Sequence, residues 1–158
     1  MKNILFTLAL LVSFSSFGQT KVELELCIAM QSSNFMSDSE AENALNKILN
    51  TIGASKNFVL TPCSNINNAV AISDGGIRYI LYDKDFMNSI NSENNWSNLF
   101  ILAHEVGHHL NGHTLSFMSL STEELELESL ANQRQQELEA DEFSGFILAK
   151  LGGTLKQT

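Results

Sequence analysis

All four histidines of this 158-residue chain lie between His104 and His113, in a segment whose apolar residues recur at helical spacing. His104, Glu105 and His108 form the pattern His-Glu-x-x-His. Residues four apart on an α-helix are separated by about 40° around its axis, so both imidazoles project from one face and can bind one metal ion. Glu105 lies beside them, where it can take a proton from water bound to that metal. The segment therefore predicts a helix that carries a metal site.

A third metal ligand is predicted in the second long helical pattern of the chain. A catalytic zinc site takes three protein ligands and leaves a fourth position open. Glu137 and Asp141 are four residues apart, hence on one helical face. We expect Glu137 to complete a His2Glu ligand set for one Zn²⁺ per chain, with Asp141 hydrogen-bonding a ligating imidazole from outside. Glu139 lies about 200° from Glu137 around the helix and is expected in solvent.

The other two histidines, His109 and His113, have no assigned ligand role. On a continuous helix His113 is about 180° from His104 and cannot bind the same metal. The metzincin pattern needs Gly at position 111 and His at position 114, where this chain has Asn111 and Thr114, so that class is excluded. We expect polar packing, or support of the metal ligands, for both histidines. Candidates for the donor that stabilises an oxyanion are, unranked, His109, His113, Tyr79 and Tyr82.

The N-terminal segment has the layout of a secretory signal peptide. A short basic start precedes the apolar run Ile4–Phe14, and the small residues Ser16 and Gly18 precede a cut before Gln19. The apolar run is too short for a comfortable membrane span, although an uncleaved anchor is the alternative. We therefore expect residues 1–18 to be removed and residues 19–158 to form one domain, periplasmic or extracellular, with no stable membrane span. At its C-terminal end the domain either continues beyond Thr158 or frays.

The predicted export bears on the redox state of the two cysteines, and the charge balance bears on the partners that the chain can bind. In an oxidising compartment a disulfide between Cys27 and Cys63 is slightly favoured over two buried thiols. Neither cysteine belongs to a C-x-x-C pair, which disfavours a zinc ribbon or a thioredoxin site. The chain has 9 basic and 18 acidic side chains, a balance that disfavours binding to nucleic-acid phosphates.

Helical and strand-like patterns follow one another without a linker or a repeat, which predicts a single α+β domain. A hydrophobic fraction of 44% is enough for a buried core. The predicted elements are a helix from about Ser37 to Ile52, hairpin strands Ala69–Ile72 and Ile77–Tyr82, a short helix capped by Asp83, a helix from Trp96 to about Gly112, and a helix from the capping box Ser121–Glu124 to Gly152. A break is expected in the last helix near residues 129–132, because an unbroken helix of that length is unusual in a small domain.

Three motifs of this chain occur together in one known family. They are His104-Glu105-x-x-His108-x-x-x-x-His113, Glu137-x-x-Ala140-Asp141, and Asn68-Ala69-Val70-Ala71 ahead of the Ile77–Tyr82 strand. They resemble the extended helix motif, the third-ligand motif and the strand segment of the M forty-eight family of gluzincin metallopeptidases, which includes the HtpX heat-shock protease and the CAAX prenyl endopeptidases. The resemblance covers roughly residues 40–152. It departs from the membrane-embedded members, since no transmembrane pattern follows the signal segment, and is closest to a short, secreted, bacterial-type member.

The resemblance implies a small zincin-like fold, with a short mixed sheet packed on two zinc-ligand helices. Its edge strand, here Asn68–Ala71, would bind the backbone of a peptide or an unfolded protein above the zinc. The function implied is that of an exported zinc-dependent metalloendopeptidase with Glu105 as general base and His113 supporting the ligands. The alternative is a catalytically silent, zinc-stabilised binding or regulatory module of the same fold. In that case a segment such as residues 19–36, or the region of Met118, would block the open site.

Overall fold

The computed structural model describes residues 39–90, 95–116 and 127–153, together with Cys27. The chain divides into two compact units, Met1–Phe35 and Met36–Thr158, and every element below belongs to the second. The predicted signal peptide, the predicted capping box at Ser121–Glu124 and the region of Met118 lie outside the described residues. Within the described ranges, none of the helices combines the length and the apolar character of a transmembrane segment.

Helices and strands are mixed along the described part of the chain, which confirms the predicted α+β class. In chain order the elements are α1 (Ser39–Ile52), β1 (Val59–Pro62), β2 (Ala69–Asp74), β3 (Ile77–Tyr82), α2 (Lys84–Ser89), α3 (Trp96–Asn111), β4 (Leu115–Ser116) and α4 (Leu127–Lys150). The break predicted near residues 129–132 is wrong, because α4 is one continuous helix of 24 residues. Residues 129–132 contain neither glycine nor proline, so no strong helix breaker interrupts α4 there.

The four strands form one mixed sheet in the order β1-β3-β2-β4. The hairpin partners β2 and β3 are antiparallel, with Ala71 opposite Ile80, while β1 runs parallel to β3. The connecting turn contains Gly75 and Gly76 at φ angles of 54° and 81°. Two consecutive positive φ angles suit a tight hairpin turn and favour glycine at both positions. The sequence Asp74-Gly75-Gly76 therefore sets the register that aligns β2 beside the site.

The hydrophobic core lies between the sheet and the helices. Its fully buried members come from α1, β1, β3, α3 and α4, and include Leu45, Ile48, Leu60, Ile80, Leu102, Val106 and Ile147. The α3 helix is central, since it packs against α1, the sheet and α4. One face of the histidine-bearing helix is therefore fixed in the core.

Helices α3 and α4 approach each other closely at Gly107. A Cβ atom at this position would lie 3.2 Å from Cδ1 of Phe143 and 3.3 Å from Cα of Ala140. Gly107 thus contributes to close helix packing, whereas a Cβ at Gly145 would meet nothing within 4 Å. The small residue at 107 sets the distance between the two helices that carry the predicted metal ligands.

Candidate metal centre

The structure brings together the three predicted metal ligands from two helices. His104 and His108 lie one turn apart on α3, and Glu137 faces them from α4. Each residue offers one ligand atom, and these atoms all lie within 4.8 Å of one another. The group could hold a metal ion. It forms because α3 and α4 pack side by side, so that residues 33 positions apart in sequence come into contact.

The distances between the ligand atoms are close to those of a tetrahedral site. The Nε2 atoms of His104 and His108 are 2.9 Å apart. Glu137 reaches both imidazoles, with Oε2 3.1 Å from Nε2 of His104 and Oε1 3.5 Å from Nε2 of His108. In a tetrahedral zinc site with bonds of about 2.0–2.1 Å, neighbouring ligand atoms are about 3.3 Å apart. The observed separations, of which the two to Glu137 involve different carboxylate oxygens, lie around this value, so the donor set and its spacing suit a metal ion such as zinc.

Asp141 orients the first of the two imidazoles. Its Oδ1 lies 2.9 Å from Nδ1 of His104. Because a carboxylate only accepts, Nδ1 donates the hydrogen bond to Asp141, and Nε2, the ring nitrogen that faces Glu137, is the one placed to bind a metal ion. This is the orientation that a metal ligand needs. The spacing of Glu137 and Asp141 along one face of α4 thus produces the arrangement expected from the sequence.

The environment of the second imidazole, His108, favours its neutral form. Its side chain is only 12% exposed. Burial is the largest cause that lowers the pKa of His108, and the neighbouring His104 lowers it further. A neutral imidazole has a lone pair available for a metal.

Glu105 lies next to the ligands but on the buried side of α3, where it faces the sheet. Its side chain is buried, and the backbone N–H of Ala71 in β2 donates to its carboxylate. Burial is the largest influence and raises the pKa of Glu105 to about 7, against the opposing effects of His104 and of the Ala71 N–H. A carboxylate with a pKa near neutrality can both take up and release a proton at neutral pH.

His113 contacts the site from beyond the C-terminal end of α3. Gly112 ends the helix with a φ of 76°, and the ring of His113 then meets the ring of His108 edge-on at 5.6 Å. Nε2 of His113 lies 3.1 Å from Oε2 of Glu139. Glu139 is partly in solvent, as expected, but its contact with His113 was not expected. The helical projection missed it because His113 lies outside the helix.

His109 faces away from the metal site. It is almost fully buried, its ring stacks on Phe58 at 5.2 Å, and its Nε2 donates to the carbonyl of Tyr79 at 2.8 Å. Burial lowers the pKa of His109, so it stays neutral and attaches α3 to the sheet. Of the four candidates for oxyanion stabilisation, His113 is the one whose described contacts include a ligand imidazole, that of His108. The other three, Tyr79, Tyr82 and His109, are buried in the core.

The predicted peptide-binding segment lies beside Glu105. Asn68 is in the bend before β2, and Ala69, Val70 and Ala71 are the first three residues of the strand. These three residues pair with β3 on one side. Strand β4 pairs with the following residues, Ile72 and Ser73, on the other side. No pattern in the sequence predicts β4.

The two cysteines are not free thiols. Cys27 and Cys63 are both in the disulfide-bonded state. Cys63 is buried, directly after β1, and neither residue belongs to the metal-ligand group.

The chain matches no protein-family model, and no curated protein matches it significantly. The resemblance to the gluzincin metallopeptidases therefore depends on the three motifs alone, and the functional argument depends on the geometry of the site.

Proposed function

We propose that this protein is an exported zinc-dependent metalloendopeptidase, a short member of the M forty-eight gluzincin family. The observation that carries the proposal is the convergence of His104, His108 and Glu137. The two Nε2 atoms lie 2.9 Å apart, with the Glu137 carboxylate 3.1 Å from His104 through Oε2 and 3.5 Å from His108 through Oε1. Two imidazoles and a carboxylate are the ligand set of several zinc peptidases, in which the fourth position stays open for water or substrate. The disulfide-bonded state of both cysteines supports a periplasmic or extracellular location.

The residues around this group are suited to hydrolysis of a peptide bond. A bound zinc would supply Lewis acidity toward the scissile carbonyl and toward water. Glu105 accepts the proton of the attacking water and delivers it to the leaving amine. Its burial and its hydrogen bond from Ala71 hold the carboxylate in place, and burial raises its pKa to about 7 against the opposing effect of that bond, a value suited to both transfers. Asp141 keeps His104 in the ligating tautomer.

The substrate we propose is a peptide or an unfolded protein segment, bound in extended form along β2. The outward side of Ala69–Ala71 is adjacent to Glu105, because Ala71 donates its N–H to that carboxylate. Addition of an extended peptide to a strand gives affinity through main-chain hydrogen bonds, largely independent of side-chain sequence. His113, in contact with the ring of His108, is the candidate we favour for stabilising the oxyanion.

A second function is favoured by one observation. Strand β4 already pairs with part of the outward side of β2, where a substrate strand would be added. A protein in which this strand prevents substrate binding would be a catalytically silent, zinc-stabilised binding or regulatory module. The two functions share the ligand group and differ only in turnover.

A protease assay separates the two functions. The mature protein, loaded with zinc, is incubated with an unstructured protein such as reduced casein, with and without a chelator. We expect cleavage that the chelator abolishes, and we expect Glu105→Gln to keep about one zinc per chain while losing cleavage. Glu142→Gln is the matched control, since Glu142 is an exposed α4 carboxylate outside the ligand group. Zinc binding without cleavage by the wild type indicates the silent module; full activity in Glu105→Gln refutes the mechanism.

A further inference from the structure

A cavity of about 360 Å³ lies between α1, α2 and the start of α3. Each helix lines it with residues three or four positions apart, so one face of each helix forms a wall. None of the described residues that line the cavity belongs to the metal-ligand group. Leu102, the lining residue nearest to His104 in sequence, projects about 160° away from it around the axis of α3. The cavity and the metal centre therefore lie on opposite faces of α3.

The floor of this cavity is apolar. Met87 on α2 and Leu99 and Leu102 on α3 are buried core residues that line it, and the small residues Ala41 and Ala44 form part of the α1 side. Small-molecule sites of about 300–1,000 Å³ combine such an apolar lining with a few polar groups. The cavity is at the lower end of this range, which suits one or two residues of a peptide rather than a long segment.

The rim of the cavity favours an anion, in a chain with 18 acidic and only 9 basic side chains. Lys47 on α1 and Lys84 at the start of α2 both line it, and no residue that the structure describes forms an ion pair with Lys47. The carboxylate of Glu40 accepts from Nδ2 of Asn95 at 2.6 Å. Asn95 is the N-cap residue of α3 and, with its side chain turned to Glu40, makes no side-chain cap. The positive end of the α3 dipole thus lies at the cavity without a capping oxygen from Asn95.

Asn98 adds a hydrogen-bond acceptor that has no partner. It lies in the first turn of α3 and lines the cavity, and its Oδ1 is buried with no hydrogen-bond partner among the described residues. Buried polar atoms of proteins are nearly always bonded, so this acceptor calls for a donor from a water molecule or a ligand. The terminal torsion of an asparagine side chain is broad, so a rotation of the carboxamide turns Oδ1 toward a ligand in the cavity.

We propose that this cavity binds the C-terminal residue of a peptide, where that residue has an apolar side chain. The terminal carboxylate binds Lys47 at the start of α3, the N–H of the same residue donates to Oδ1 of Asn98, and its side chain packs on Met87 and Leu99. A free carboxylic acid offers the apolar body and the carboxylate but lacks the N–H donor that Asn98 calls for. The site is separate from the metal centre, so the inference does not rest on the proposed function.

The test is an NMR titration of the mature protein with acetyl-alanyl-leucine, in the Glu105→Gln background so that the probe is not hydrolysed. We expect saturable shifts of the amide signals of Ala44, Met87 and Leu99, with a Kd below about 1 mM, both with zinc and with a chelator. The C-terminal amide of the probe should bind at least about tenfold more weakly. Isocaproate, which has the side chain and the carboxylate of leucine but no N–H, should bind about fivefold more weakly.

Three results of this titration overturn the inference. They are the absence of saturable shifts, shifts confined to the surroundings of the metal ligands, and equal affinity for the acid and amide forms of the probe. Isocaproate that binds as tightly as acetyl-alanyl-leucine identifies the ligand as a free carboxylic acid and overturns the assignment to a peptide. A protein that binds the probe but no zinc refutes the proposed function and leaves this inference intact.

Two substitutions assign the polar contacts. Lys47→Met removes an exposed charge at the rim and should weaken binding of acetyl-alanyl-leucine about tenfold, while Lys150→Met, the same change on α4 outside the cavity, should not. Asn98→Leu removes the acceptor and should weaken binding about fivefold. Asn46→Leu, at an exposed α1 position outside the cavity, is its control. Wild-type affinity in Lys47→Met overturns the inference, and wild-type affinity in Asn98→Leu shows that the probe's N–H does not bind there and overturns the peptide assignment.

Discussion

Replacing Gly107 by alanine tests whether the close packing of α3 on α4 sets the geometry of the ligand group. The added Cβ would lie 3.2 Å and 3.3 Å from Phe143 and 3.3 Å from Cα of Ala140. Ala140 offers backbone rather than a flexible side chain, so relief of the contact requires a shift of a few tenths of an ångström between the helices. Glu137 is on α4 and both histidines are on α3, so this shift changes the ligand separations directly.

The change in unfolding free energy on Gly107→Ala follows from two opposing contributions. Glycine to alanine in a helix interior is favourable by about 1 kcal/mol. Overpacking by one methyl group in a tight contact costs about 1–3 kcal/mol. Gly145→Ala is the matched control, because it makes the same change in α4 where nothing lies within 4 Å. We expect Gly145→Ala to raise the free energy of unfolding by about 1 kcal/mol relative to the wild type. The free energy of unfolding of Gly107→Ala should be about 1–3 kcal/mol lower than that of Gly145→Ala.

Urea unfolding of the metal-free proteins measures the stability difference, and competition with a chromogenic chelator measures zinc affinity. We expect Gly107→Ala to bind zinc more weakly than both the wild type and Gly145→Ala. If Gly107→Ala is as stable as Gly145→Ala and binds zinc as tightly as the wild type, the helix separation does not control the site and the reasoning is wrong.

Two further predictions concern Asp141 and Glu105. Asp141→Asn weakens the acceptor for Nδ1 of His104 and should lower zinc affinity by about tenfold, while Glu142→Gln should not; equal affinities in chelator competition would contradict the role of Asp141. In the metal-free protein, burial raises the pKa of Glu105 from 4.5 to about 7, so between these pH values the folded state holds a proton that the unfolded state has released. Stability contributed by this group is therefore lost as the pH rises: relative to Glu105→Gln, the wild type should lose about 3 kcal/mol between pH 4.5 and pH 7. Parallel slopes of unfolding free energy against pH would contradict the burial of this carboxylate.

The elements that the sequence predicts best are those with local signals. Gly53 follows the last residue of α1 with a φ of 67°, as expected of a helix C-cap. Asp83 accepts hydrogen bonds from the N–H groups of Asp85 and Phe86 and caps α2 as predicted. The hairpin turn at Gly75 and Gly76 is also local. Each of these features is encoded within a few neighbouring residues.

The ligand group was predictable because its pieces are helical. His104 and His108 share a face of α3, and Glu137 and Asp141 share a face of α4, by helical spacing alone. The separation of the two helices was not predictable to the fraction of an ångström that the ligand distances require. It depends on contact between Gly107 and residues 33 and 36 positions further along the chain.

The features that the sequence did not predict are non-local or irregular. Strand β4 has two residues and is defined only by its pairing with β2, so it carries no period-two pattern. The contact of His113 with Glu139 forms after Gly112 turns the chain out of α3, where helical projection no longer applies. The break in α4 was predicted from helix length alone, and residues 129–132 contain no glycine or proline to produce it.

X-ray absorption at the zinc edge is the most direct test of the central claim, that His104, His108 and Glu137 form a zinc site. The mature protein is measured with one equivalent of zinc, beside Glu137→Gln and the control Glu142→Gln. The account predicts two imidazole nitrogens and a carboxylate oxygen at about 2.0–2.2 Å in the wild type and in Glu142→Gln, and loss of the carboxylate ligand in Glu137→Gln. A spectrum with water ligands only, or the same coordination in Glu137→Gln as in the wild type, would contradict it.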